Sequence, residues 1–99
     1  MWSKRSGNTV TVGLEGRLDV SNTSEVSGAL RAAGAFERDA DVVLDCGKLD
    51  YISSAGLRIL KRCYMAMRRK GGTLKLKNVN KMVMEVFEVT GFAGLLQFI

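Results

Sequence analysis

The sequence predicts an α/β fold: one domain built on a mixed, largely parallel sheet with helices packed against it. Three observations carry the prediction. Short apolar runs alternate with stretches whose apolar residues recur every three or four positions, a hairpin pattern opens the chain, and glycines fall where each helical stretch should stop.

The hairpin comes first. Trp2 to Arg5 is followed by Ser6-Gly7-Asn8, and Thr9 to Glu15 then alternates at Val10, Val12 and Leu14, the period of a strand with one buried face. After Gly16-Arg17-Leu18-Asp19, Asn22 stands where a helix N-cap belongs, and Glu25 three residues on completes a near capping box. Val26, Leu30 and Ala33 form that helix's apolar stripe, and Gly34 is its stop. Val42 to Leu44 reads as a short buried strand with Gly47 soon after, and Lys48 to Ile52 as the connection to the next element. From Ala55 the apolar positions Leu57, Leu60, Cys63, Tyr64 and Met67 mark a helix with one face in a core, which puts Ser53 and Ser54 at its first turn. Gly71-Gly72 ends it, and Thr73 to Lys77 alternates as a strand. Asn80 caps a third helix with core positions Met82, Val83, Val86 and Phe87, closed by Gly91, and Leu95 to Ile99 is a final short strand.

Ninety-nine residues suffice for one domain with a modest core, and 46% apolar and 25% charged residues are ordinary for a globular protein. No apolar run reaches membrane-spanning length and no secretory signal opens the chain, so a soluble, cytoplasmic domain is expected. Cys46 and Cys63 lie far apart in a sequence without histidine, so neither a CxxC redox site nor a Cys/His zinc site can be assembled. Both are read as reduced core residues. The formal charge of +5 is concentrated at Lys61, Arg62, Arg68, Arg69 and Lys70, then Lys75, Lys77 and Lys81. Without interleaved aromatic residues or a nucleic-acid motif, this reads as a solvated face suited to the negative end of a helix. A phosphate-binding glycine loop, a dinucleotide fingerprint, a histidine base and a metal-ligand cluster are all missing, so neither an enzyme nor a cofactor is expected.

The stretch from Val42 to Leu60, VVLDCGKLDYISSAGLRIL, resembles the signature of the STAS domain, the module shared by sulfate transporters and anti-sigma factor antagonists. In the antagonists an apolar strand leads to Asp-Ser-Ser/Thr-Gly-Leu at a helix start, and the serine after the Asp is phosphorylated. Leu49, Tyr51 and Ile52 match the apolar approach, Ser54 the phosphorylated serine, and Gly56-Leu57 the pair that follows. Ser53 stands where the family has Asp, and Ala55 replaces the second hydroxyl. Gly16-Arg17-Leu18-Asp19 is similar to the Gly-Glu-Leu-Asp that ends the antagonists' second strand, which makes Asp19 a candidate for the recognition surface. Read from the residues alone, Asp19 is a turn residue ahead of a helix.

The resemblance covers residues 1–99 as a single domain, with a short N-terminal strand and without the family's last helix. It implies a binding module that engages an anti-sigma factor with serine-kinase activity. That kinase would use ATP and magnesium to phosphorylate Ser54 and break the complex, and a metal-dependent serine phosphatase would reset it. The implied recognition surface is Asp19, Ser53, Ser54, Gly56 and Leu57, extended along the central helix by Arg58, Lys61 and Met65, which a step of about 100° per residue places on the side of Ser54. Neither nucleic acid nor a membrane is expected as a partner. Two other readings stand beside it: a STAS scaffold or subunit of a transport or signalling complex that never carries a phosphate, and a small nucleotide or nucleic-acid binder resting on the basic helix.

Overall fold

The computed structural model describes residues 1–99. Strands β1 (Trp2–Ser6), β2 (Thr9–Leu18), β3 (Asp41–Ile52), β4 (Thr73–Lys77) and β5 (Gln97–Phe98) form one sheet in sequential order, with helices α1 (Thr23–Ala32), α2 (Ser54–Arg69) and α3 (Lys81–Thr90) in the connections. The β1–β2 pair is antiparallel and the other three pairs are parallel. The expected mixed, largely parallel sheet is therefore present.

Sequential order has a consequence for packing. Parallel crossovers are right-handed, so strands laid down in order place every crossover helix on the same face. That face holds the core: Val10, Val12, Val42, Leu44, Leu74 and Leu76 from the strands meet Val26, Leu30, Leu57, Leu60, Met67, Val83 and Phe87 from the helices. Val10, Val42 and Leu74 are register partners across three strands, as are Val12, Leu44 and Leu76. The alternate row, with Val43, Lys75 and Lys77, remains partly exposed.

β3 runs on to Ile52, whereas the sequence suggested a connection from Lys48. Backbone pairing with β2 continues past Gly47 because β3 accommodates extra residues. Gly13 faces Asp45 but Glu15 faces Lys48, and Gly16 faces Leu49 but Arg17 faces Tyr51, so β3 takes one additional residue at each place. β4 stops pairing at Asp45–Lys77, and the far part of β3 is an overhang whose one strand partner is β2.

Other expectations shift locally. Asn22 does not cap α1 through its side chain: its Oδ1 accepts the Asp19 N–H at 2.9 Å and its Nδ2 donates to the Arg17 carbonyl at 2.6 Å, leaving nothing for the helix. Asn80 does cap α3, accepting the Val83 N–H at 2.8 Å. Met82 is 68% exposed rather than in the core, because the buried stripe of α3 runs through Val83 and Phe87 and Met82 lies about 100° round the helix from Val83, while Val83 and Phe87 are buried as expected. The last strand is only Gln97–Phe98, preceded by a 3-10 turn at Phe92–Gly94. Gly34, Gly71 and Gly91 follow the three helices with φ between 77° and 91°, the left-handed conformation that makes glycine the natural stop. No helix is long and apolar enough to cross a membrane.

Candidate functional site: the carboxyl edge of the sheet and helix α2

The carboxyl ends of β2, β3 and β4 leave the sheet at one edge, and the loops that follow them carry the candidate site. Ser53 is the N-cap of α2, extended at φ −96° and ψ 174°, and its Oγ accepts the Gly56 N–H at 3.1 Å. The same hydroxyl donates to the Leu18 carbonyl at 3.4 Å, and the Ser53 N–H donates to that carbonyl at 3.0 Å. Ser53 thus stitches the start of α2 to the end of β2. Ser54, the next residue and the first of the helix, is exposed and its hydroxyl makes no hydrogen bond within the chain. One serine is occupied and its neighbour is free.

Gly56 and Leu57 were expected on the recognition surface, and the structure buries both. A Cβ on Gly56 would lie 2.4 Å from the Leu18 carbonyl oxygen, so only glycine lets α2 approach β2 this closely. Leu57, 6% exposed, points into the core. These two residues position the serines and offer no side chain to a partner. Arg58, Lys61 and Met65 are exposed with Ser54 along one side of α2, as helical spacing requires, and Met65 keeps 45% of its surface in solvent.

Asp19 organises its own loop. Its Oδ1 accepts the backbone N–H and the hydroxyl of Ser21, its Oδ2 pairs with Arg17 Nε at 2.6 Å, and its backbone carbonyl accepts the Asn22 N–H at 3.2 Å. The Ser21 hydroxyl and N–H together, then Arg17, hold its carboxyl below the usual aspartate value. The side chain is only 15% exposed, which favours the turn role over direct contact. Asp45 plays a matching part at the bend of β3, accepting from the Gly47 N–H at 3.0 Å and from Asn78 Nδ2 at 3.2 Å, and its carboxyl is also lowered, chiefly by the Gly47 N–H. Asn80 Nδ2 braces the overhang by donating to the Leu49 carbonyl at 2.9 Å.

Sequence reasoning placed no exposed apolar residue at this edge beyond the α2 face: it passed over Val20, read Tyr51 only as part of the apolar approach to the serines, and put Met82 in the core. Val20 in the β2–α1 loop is 80% exposed, Tyr51 near the end of β3 is 49% exposed, and Met82 in the first turn of α3 is exposed. The Arg17 guanidinium stacks 5.4 Å from the Tyr51 ring centre, holding that ring against the β2–β3 ribbon. Val20 alone carried a readable signal, as an apolar residue between Asp19 and Ser21 in a turn that serves no core stripe. Cys46 and Cys63 are buried and free, their thiols pushed up to about 12 and about 11 by burial. No three His, Cys, Asp or Glu side chains gather into a metal-binding group.

The family model described as Mlab, STAS domain, matches residues 3–97. The chain belongs to the STAS domain family. Among its relatives, BtrV of Bordetella bronchiseptica, named for anti-sigma factor antagonism, is 39% identical over 83% of this chain and 70% of its own length. The anti-sigma-B factor antagonist of Bacillus subtilis is 25% identical over 94% of this chain and 84% of its own. The solved structure of the anti-sigma factor antagonist SpoIIAA in its unphosphorylated form superposes with a TM-score of 0.80 at 17% identity, covering 99% of this chain and 86% of that one, and shows the shared fold. This STAS domain is homologous to anti-sigma factor antagonists.

Proposed function

We propose that this STAS domain is an anti-sigma factor antagonist switched off by phosphorylation of Ser54. In the unmodified state it binds an anti-sigma factor that is also a serine kinase. That kinase uses ATP and magnesium to phosphorylate Ser54, which ends the complex, and a metal-dependent serine phosphatase restores binding. The domain is substrate and ligand in this cycle, not catalyst.

The observation that carries the reading is the division of labour between the serines. Ser53 spends its hydroxyl on the helix cap, a bond typically worth about 1 kcal/mol, while Ser54 presents a free hydroxyl at the end of α2. A phosphate on Ser54 adds about −1.5 to −2 charges at neutral pH, and the unpaired N–H groups and positive dipole of a helix N-terminus accommodate it. The fold tolerates the group. A partner surface shaped to a small neutral hydroxyl does not, and a loss of about 3 kcal/mol weakens binding roughly a hundredfold. The exposed Val20, Tyr51 and Met82 supply apolar contact on the same edge.

The test is incubation with the cognate kinase and ATP, then peptide mapping of wild type, Ser53→Ala and Ser54→Ala. Phosphate on wild type and Ser53→Ala but not on Ser54→Ala is expected. Phosphate persisting on Ser54→Ala overturns the assignment, and a phosphoprotein that still binds the kinase tightly overturns the switch. Tight binding with no phosphate on any variant favours the phosphate-free scaffold reading.

A further inference from the structure

Helices α1 and α2 do not close on each other along their outer sides. Between them runs a groove of about 680 Å³ whose floor is Phe36, Ile59, Cys63 and Ala66, with Met65 on the rim. Its walls carry Arg31, Arg58, Lys61, Arg62, Arg69 and Lys70, and no carboxylate lines it. None of these six cations makes an ion pair within the chain, although Arg5, Arg17 and Lys75 elsewhere all do. The basic stretch of α2 is therefore one wall of a concave, amphipathic site as well as a solvated face.

We propose that this groove receives an acidic amphipathic helix from a partner protein. The floor is apolar and the walls are uniformly cationic, so the complementary surface has an apolar stripe flanked by carboxylates. Arg58 to Lys70 spans about three helical turns, the length over which apolar anchors at i, i+3 or i+4, and i+7 repeat. Nucleic acid fits less well. The one aromatic ring on the floor, Phe36, is half-buried with the Arg31 guanidinium 5.2 Å from its centre, so it offers no open face to a base. A bilayer surface fits less well because the apolar residues lie at the bottom of a concavity. The inference does not depend on Ser54 phosphorylation.

The experiment uses the full chain and a blocked 14-residue helical peptide with leucine at i, i+3, i+7 and i+10 and glutamate at most other positions. Amide and methyl NMR shifts map its binding, and fluorescence anisotropy measures its affinity. Saturable one-to-one binding is expected, with shifts concentrated at Ile59, Cys63, Met65 and Ala66. The double variant Arg62→Glu, Arg69→Glu should bind at least tenfold more weakly. The pair Lys4→Glu, Lys77→Glu makes the same change of net charge on the strands and should bind as wild type does. Equal loss in both double variants, or undiminished binding of a peptide with glutamine in place of leucine, overturns the groove. Tighter binding through the same residues by a thymidine oligonucleotide or by phosphatidylglycerol vesicles assigns the site to another ligand class and overturns the helix. So does dimerisation of the chain through these residues.

Discussion

Gly56 meets the backbone of Leu18 so closely that the carbonyl oxygen of Leu18 occupies the space a Cβ would need, 2.4 Å away. The neighbour is backbone, fixed in a strand, and cannot swing aside as a long side chain would. Gly56→Ala should therefore lose about 1–3 kcal/mol despite the better helix propensity of alanine, which contributes only about 1 kcal/mol the other way. Thermal unfolding checks this. A variant as stable as wild type would show that α2 can shift away from β2 without cost.

The two serines should separate by stability. Ser53→Ala removes the acceptor for the Gly56 N–H and should cost about 1 kcal/mol, or roughly 4–8 °C in Tm for a domain of this size. Ser54→Ala touches nothing and should stay within about 0.5 kcal/mol. Urea unfolding of both variants decides it, and a larger loss for Ser54→Ala would reverse the roles given to the two hydroxyls.

Asp19→Asn should loosen the β2–α1 loop, and its effect should depend on acid in a definite direction. The folded carboxyl is held below its ordinary value of 3.8 by Ser21 and Arg17. Its contribution to stability is thus present above pH 3.8 and is lost as the pH falls through the lower folded value. The stability gap between wild type and Asp19→Asn should be constant near neutrality and close below pH 3.8. A gap that stayed constant down to pH 2 would mean that the charge of the carboxylate is irrelevant to the loop.

The buried thiols predict the opposite limb. Both are raised from 9.0, Cys46 to about 12 and Cys63 to about 11, chiefly because burial penalises the thiolate. Their neutral forms favour folding fully below pH 9.0, and this contribution is lost as the pH rises toward those folded values. Native protein should resist a disulfide reagent at pH 8 and yield two thiols only after unfolding. Prompt labelling of one thiol in the native state would place it at the surface.

The single tryptophan offers a fifth check. A Cβ on Gly13 would fall 2.1 Å from the Trp2 indole, which covers the glycine from the neighbouring strand. Gly13→Ala should push the ring outward and shift its emission to the red. Unchanged emission would show that the backbone, not the ring, yields.

Much of the fold was legible because its signals are local. Helix starts at Ser53 and Asn80, the glycine stops and the alternating strands each reflect a backbone requirement that a few neighbouring residues satisfy. The length of β3 was not legible. Its pairing from Gly47 onward depends on bulges opposite Gly13–Glu15 and Gly16–Arg17, residues more than thirty positions earlier, and bulges blur the two-residue period. Asn22 misled for a related reason, since its spacing to Glu25 suits a capping box while Arg17 and Asp19 compete for the same side chain. At the site, the exposed faces of Ser54, Arg58, Lys61 and Met65 follow from helical geometry, but the burial of Gly56 and the amphipathic groove beside Arg62 require knowing where β2 and α1 lie.

The overhang of β3 divides one strand into two mechanical regimes. Residues before Asp45 are held between β2 and β4, where a slip of one position would turn the core row outward. Beyond Asp45 the strand keeps β2 as its one sheet partner and is held instead by burial of Cys46, Leu49 and Ile52 and by the Asn80–Leu49 bond. A flexing of the β2–β3 ribbon would therefore tilt Tyr51 and the serines together, as one lever, without unzipping the ladder that holds the middle of the sheet.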